Sequence, residues 1–180
     1  MNESQLLDSA RNGDERAFRK IVERYESLVA RTVKAMLGDC VEAEDIGQEV
    51  FVRFYSSLNS FRGESSIGTY LTRIAINLSL NELKRRKRRL RIFSSKPLDE
   101  YSNISDAKDS SGIKNQAIRK ALDSLDAKSK AVIVLRLIDG YSTQETASIL
   151  GIPVGTVLSR LSRAQQKLRS LLGERLEDWE

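Results

Sequence analysis

Apolar residues recur three and four positions apart along most of the chain, and sustained period-two alternation is missing, so the pattern predicts helices rather than strands. A short helix is expected from Ser4 to Arg11, with Leu6, Leu7 and Ala10 inward, ended by the turn Asn12-Gly13-Asp14. Asp14 then caps a long helix whose stripe of Ala17, Phe18, Ile21, Val22, Tyr25, Leu28, Val29, Val33, Met36 and Leu37 stops at Gly38. A third helix, from about Val41 to Leu58, buries Ile46, Val50, Phe51, Phe54 and Leu58; a fourth, from about Ser66 to Arg89, carries Leu71, Ile74, Ala75, Leu78 and Leu83. Residues 93–112, rich in Ser and Asp with one Pro, have no sustained apolar period and read as a flexible linker. Helical periodicity returns from Ile113 to Leu122 and from Lys128 to Ile138. The fold class expected is all-α: a helical bundle over 1–92, the linker 93–112, and a second bundle over 113–180.

The most specific spacing lies in the second bundle, at residues 143–168. Ser142 and Glu145 form an S-x-x-E capping box that starts a short helix near Thr143, and Gly151 ends it where the turn needs positive φ. Ala147 is small enough for two helices to cross closely, Ile152 plugs the gap, and Pro153 opens a second helix. This is the pattern of a helix-turn-helix. Val157, Leu161 and Leu168 face inward, whereas Val154, Gly155, Thr156, Ser159, Arg160 and Arg163 face outward; with Thr143 and Pro153 they form the surface expected to meet DNA. Small, hydroxyl and guanidinium groups together suit base edges and phosphates.

Charge supports a nucleic-acid partner through its distribution more than its total. The 180 residues carry a net charge of +5, divided as about +4 over 1–92, about −2 over 93–112 and about +3 over the remainder. Most of the first excess is one run, Lys84-Arg85-Arg86-Lys87-Arg88-Arg89, which repels itself unless it meets a polyanion. Histidine is absent and Cys40 is the only cysteine. That removes Ser-His-Asp and Cys-His catalysis, histidine-ligated zinc and any intrachain disulfide; no metal site, cofactor or catalytic residue is expected. Neither a signal peptide nor a membrane span is recognisable, so the expected location is cytoplasmic.

In the first bundle the loop Phe61-Arg62-Gly63-Glu64-Ser65-Ser66 offers hydroxyls and amides to the edge of an unpaired base. Phe61 and Tyr70 are either planar platforms for such a base or core residues. Beyond them Arg73, Asn77, Asn81, Lys84 and Arg85 recur at helical spacing and share a face that can follow a phosphate backbone. Asp45, Gln48 and Glu49 on the third helix repel phosphate; they are either a solvated surface or a seat for a basic protein partner. As a relaxed coil the linker averages roughly 25 Å, and roughly 70 Å fully extended, comparable with two turns of DNA.

Four segments, GDERAFRKIVERY, AEDIGQEVFVRFYSSL, FRGESSIGTYLTRIAINLSLNELKRRKRR and LDSLDAKSKAVIVLRLIDGYSTQETASILGIPVGTVLSRLSRAQQKLR, resemble, in order, the sigma factors of bacterial RNA polymerase of the extracytoplasmic-function group. The resemblance implies a non-catalytic specificity subunit that docks on core RNA polymerase and directs it to promoters. It implies that Asp45, Gln48 and Glu49 bind the clamp coiled coil of the largest polymerase subunit. It assigns Phe61, Arg62, Ser65, Ser66, Tyr70, Arg73, Asn77, Asn81, Lys84 and Arg85 to recognition and melting of the minus-ten element, and the helix-turn-helix surface to the minus-thirty-five element. An anti-sigma factor is a further implied partner. Two positions depart from the family habit: Tyr70 stands where Trp is common, the only Trp being Trp179, and Leu158 where Lys is common. Two other readings compete: a dimeric helix-turn-helix regulator acting without polymerase, which leaves the first bundle without a task, and a serine recombinase, for which no serine is set in an arginine cluster.

Overall fold

The structure, a computed structural model, describes residues 2–93 and 110–173. Eight α-helices are found among them: α1 Glu3–Arg11, α2 Glu15–Leu37, α3 Val41–Ser57, α4 Ile67–Phe93, α5 Ser110–Asp123, α6 Ala127–Ile133, α7 Thr143–Leu150 and α8 Val154–Leu172. No strand occurs among the described residues. The expected linker lies mostly outside them, but both its ends are helical: Phe93 closes α4, and Ser110 opens α5 three residues ahead of the expected start. Residue 58, placed at the end of the third helix by its periodicity, instead begins a short 3₁₀ turn, Leu58–Ser60. The tail with Trp179 also lies outside the described residues.

Local chemistry sets most helix ends. Asp14 accepts from the backbone N–H groups of Arg16 and Ala17, Asp126 does the same for Lys128 and Ser129, and Asn2 and Gln5 complete a capping box at α1. In the first bundle α2 touches α1, α3 and α4, and its Ile21, Val29, Val33 and Met36 meet Val50, Phe54, Ile67, Leu71, Ala75 and Ile76 in one core. The close approach of α4 needs Gly68, where an added Cβ would lie 3.1 Å from the Tyr25 ring. Tyr25 pays for this seat in its acidity: burial and the neighbouring Glu3 carboxylate raise its pKa to about 12.

The basic run at the end of α4 is only in part a free cationic surface. Glu82, 6% exposed, receives Arg85 at 2.6 Å, Arg86 at 3.3 Å and Arg89 at 3.2 Å. Arg86 also donates to the carbonyl of Leu37 and to Cys40 Sγ, each at 3.1 Å, and so ties α4 to the turn between α2 and α3. The expectation that the run needs a polyanion for relief is therefore corrected. One buried glutamate relieves three of its arginines, while Lys84, Lys87 and Arg88 stay exposed.

In the second bundle Leu122, Leu125, Ile133 and Ala164 form one apolar cluster, and Val132, Ala147 and Val157 another. The helix expected over Lys128 to Ile138 changes character midway. After Ile133 it widens into a π-helical turn, Val134–Ile138, in which the Asp139 N–H reaches the carbonyl of Val134 at 2.8 Å. Ala131, Val134 and Leu135, with Ile149 of α7, turn away from their own bundle and join the core of the first. The two bundles, expected as separate modules, are thus packed on each other through α6, α7 and the π turn against α2 and α4.

Replacing Glu82 with Ala should lower stability by about 1–2 kcal/mol, since its arginine partners are half exposed and can turn to water rather than remain buried unpaired. Urea denaturation of the full chain measures this; an unchanged midpoint would show the cluster to be inert.

Candidate nucleic-acid and partner interfaces

The helix-turn-helix is built as its spacing predicts. The Ser142 hydroxyl accepts from the Glu145 N–H at 3.2 Å and the Glu145 carboxylate accepts from the Ser142 N–H at 2.8 Å; the Ser142 side chain first, and its backbone N–H second, hold that carboxyl below its ordinary pKa. Gly151 sits in the left-handed region at φ 62°, and the Ile152 N–H bonds the Ala147 carbonyl at 3.1 Å. One detail differs: Pro153 is the extended residue before α8 rather than its first helical one, so the helix starts at Val154. Val157 is fully buried against Val132 and Ala147, which turns the opposite face of α8 outward.

On that outward side Val154, Gly155, Ser159 and Arg163 are exposed, Thr156 and Arg160 half-buried, and Leu158 is 52% exposed. Pro153 is exposed and Thr143, the first residue of α7, is half-buried. Arg160 and Arg163 do not stand alone. They line a polar hollow with Lys128 of α6 and Lys167 further along α8, beside Asp126 and Ser129. Burial pushes the Asp126 carboxyl upward, but hydrogen bonds from Ser129 and the backbone N–H groups of Lys128 and Ser129 outweigh it, with Arg160 assisting, so its pKa is lowered. Lys128 was missed because it lies on another helix. Lys167 was legible, four residues after Arg163.

The loop before α4 encloses a second hollow, about 270 Å³, lined by Ser60, Phe61, Arg62, Glu64, Ser65, Tyr70 and Arg73. Its size suits one planar group rather than a large ligand. Phe61 is 6% exposed, with its ring 6.0 Å from Phe54 and 4.9 Å from Tyr70 between centroids. Core packing therefore wins at Phe61: its ring shapes the wall and is not an open stacking platform. Tyr70, half-buried, keeps a share of its ring at the hollow. Ser66 is also spoken for, because its hydroxyl accepts the Thr69 N–H at 3.1 Å and caps the start of α4. Arg11 of α1, unmarked by any motif, pins the loop from behind by donating to the carbonyls of Leu58 and Phe61.

Along α4 the side chains of Asn77, Asn81, Lys84 and Arg85 are exposed, with the Nε of Arg85 held by Glu82. Arg73 is drawn elsewhere: its Nη2 donates to the Ser148 carbonyl of α7 at 3.3 Å, and its Nε is buried without a partner.

On α3, Asp45 and Gln48 are exposed and Glu49 is half-buried, bonded by Arg53 at 2.7 Å. Gln48 edges an apolar-floored groove of about 250 Å³ between α2 and α3, whose floor includes Val22, Val29, Ala30 and Phe51. Asp45 and Glu49 are not part of its lining. The α2 wall was invisible to a reading of α3 alone. Among the described residues no group of three or more Cys, Asp or Glu could hold a metal ion, and no helix is long and apolar enough to cross a membrane.

Comparison with known proteins gives these surfaces a family. Residues 21–89 match the sigma-70 region 2 model and residues 115–168 match the sigma-70 region 4 model. The chain is similar to the ECF RNA polymerase sigma factor SigW of Bacillus subtilis, 36% identical over 92% of this chain and 94% of that one. It is also similar to the ECF RNA polymerase sigma-E factor of Escherichia coli, 34% identical over 93% of each. Among solved structures, CnrH in complex with the cytosolic domain of CnrY aligns with a TM-score of 0.68 at 28% identity, covering 93% of this chain and 94% of that one. The sigma factor RpoE from Bartonella quintana, in complex with the anti-sigma factor NepR, shares the fold with a TM-score of 0.69 at 24% identity, over 86% of this chain and 96% of that one. Both sigma-70 regions follow in order and the curated relatives align over nine-tenths of the chain, which therefore belongs to the extracytoplasmic-function sigma factors of bacterial RNA polymerase, non-enzymatic subunits that direct promoter-specific transcription initiation.

Proposed function

We propose that residues 1–92 bind core polymerase and open the minus-ten element, that residues 113–180 read the minus-thirty-five element, and that 93–112 connect the two tasks. The observation carrying this division is that one chain presents two DNA-compatible surfaces, a polar hollow continued by an amide and cationic face on α4 and an outward recognition helix, together with an acidic α3 unsuited to DNA. Asp45, Gln48 and Glu49 then receive the clamp coiled coil of the largest polymerase subunit, with Gln48 at the mouth of the apolar groove.

In the minus-ten part, Arg62, Ser65 and Tyr70 line the hollow that captures an extruded base, Phe61 and Ser66 hold its shape, and Arg73, Asn77, Asn81, Lys84 and Arg85 follow the backbone. Unstacking costs a few kcal/mol per base, offset by capture in the hollow and by phosphate contacts. In the upstream part, Val154, Gly155, Thr156, Ser159, Arg160 and Arg163 face the groove, Thr143 and Pro153 the flanking backbone, and exposed Leu158 offers an apolar contact to a thymine methyl. The site of action is the cytoplasm. An anti-sigma factor is the expected regulator, by analogy with RpoE and NepR.

Run-off transcription with sigma-free bacterial core polymerase on fragments of the source genome tests the whole assignment: new discrete start sites are expected with the protein and none without it. Dimerisation and tight duplex binding in the absence of polymerase, with no stimulation, would instead establish a conventional regulator. Arg160→Ala should weaken recognition of the upstream element about tenfold, one base contact being worth about 1–3 kcal/mol, while leaving core binding unchanged; equal loss of both sinks its assignment. Asp45→Arg should abolish holoenzyme formation in a pull-down without altering the helical circular dichroism. Retained assembly would leave that patch a solvated surface.

A further inference from the structure

The cationic side of α8 has no acidic counterpart on its own element. From Val154 to Leu172 the helix carries Arg160, Arg163, Lys167 and Arg169 and not one carboxylate. Arg160, Arg163 and Lys167 meet Lys128 of α6 around the polar hollow of about 340 Å³. None of these four forms an ion pair among the described residues. Asp126, the single acid in the lining, is committed to capping α6, where it accepts the N–H groups of Lys128 and Ser129. Arg163 places its Nε on the carbonyl of Ser159 and Lys167 reaches the carbonyl of Ser124. A guanidinium has five N–H donors and an ammonium three, so both keep donors in reserve. Four like charges around one concave surface attract an anion.

Such an anion follows directly in the sequence. Residues 174–180, outside the described part of the chain, read Glu174-Arg175-Leu176-Glu177-Asp178-Trp179-Glu180, four carboxylates against one guanidinium. A helix C-terminus is electrostatically the wrong place for them, because its unpaired carbonyls repel carboxylates. Nor does α8 run on into this segment. It is capped by Gly173, whose φ of 60° and ψ of −156° lie in a region essentially reserved to glycine, so the backbone leaves the helix axis there. From Gly173 back to Arg163 is roughly 15 Å along α8, at about 1.5 Å per residue, whereas seven extended residues span roughly 23 Å. Lys167, Arg163 and Arg160 are all within reach. Trp179, the only Trp of the chain, brings the ring whose face best holds a cation.

We propose that residues 174–180 fold back onto this hollow as an internal anion, with their carboxylates on Arg163, Lys167 and Lys128 and the Trp179 ring against a guanidinium. They then occupy part of the surface that takes the upstream promoter element. The inference rests on the assignment of Arg160 and Arg163 to that element. A short tethered segment acts at an effective concentration in the millimolar range, so weak exposed pairs suffice to seat it. Duplex DNA, with one charge per about 1.7 Å of its axis, displaces it, and DNA binding by the helix-turn-helix is weakened by the competition.

Trp179 reports on the contact without DNA or polymerase. In the full wild-type chain at low salt it should be shielded from acrylamide quenching, and salt near 1 M, where screening acts over about 3 Å, should release it. Gly173→Ala keeps every charge but strains the glycine turn, whereas the triple variant Glu174→Gln, Glu177→Gln, Asp178→Asn keeps the turn and loses the charge. In both, Trp179 should be quenched at low salt as readily as the wild type is at high salt. Holoenzyme carrying Gly173→Ala should half-saturate a promoter fragment mapped by run-off at about threefold lower concentration than wild type, the size of one or two exposed ion pairs. Net charge cannot explain that gain. A wild-type Trp179 quenched equally at low and high salt, a Gly173→Ala with wild-type quenching, or release of Trp179 without tighter promoter binding would each overturn the proposal. Quenching is read without polymerase, so failure of the wild type to programme core polymerase would count against the functional assignment instead.

Discussion

Burial of the apolar stripe of α2 is the constraint on which the rest of the molecule depends. That helix touches α1, α3 and α4 and, on its remaining side, the π-helical turn of the second bundle. Ile21, Val29, Val33 and Met36 are all at most 1% exposed, and each such side chain taken out of water contributes about 1.5–3 kcal/mol. With α2 sheathed, α3 presents its acidic residues outward, and α4 is held close enough, through Gly68, to support the loop hollow at its start and the basic run at its end. The interaction surfaces are consequences of how neighbours cover this one helix.

The charges divide into those that build and those that remain available. Within the basic run, Glu82 organises Arg85, Arg86 and Arg89, and Arg86 reaches on to Leu37 and Cys40. A guanidinium suits this work because its planar fork can serve several acceptors at once, whereas the ammonium of Lys84 or Lys87 is a mobile point charge. The same division holds at the loop, where Arg11 supports from behind and Arg62 lines the hollow. Counting basic residues overestimates the cationic surface offered to DNA, because part of it stiffens the scaffold that carries the rest.

The second bundle has two apolar faces where a free-standing helix-turn-helix domain needs one. Val132 and Ile133 serve its own clusters while Ala131, Val134 and Leu135 serve the first bundle, and the widened turn after Ile133 carries the chain from one duty to the other. The buried carboxylate of Asp139 lies at the end of that turn. Local geometry there is set by the need to satisfy two cores in sequence, a demand that no helix propensity encodes.

Much of this was legible in the residues alone. Asp14, the Ser142–Glu145 box, Gly151 and the apolar period marked the helices and the helix-turn-helix, because caps, turns and amphipathic stripes act over three or four residues and leave their signature in adjacent sequence. The four segments of family likeness carried the function in the same way. What the sequence could not determine were the meetings of residues far apart along it: Phe61 closed off by Phe54 and Tyr70, Arg11 beneath the loop, Lys128 beside Arg160, and above all Asp139 against Arg31. An exposed aromatic and a core aromatic have the same local pattern, and so do a solvated aspartate and a paired one. Only the tertiary structure, by deciding which surfaces leave water together, separates them.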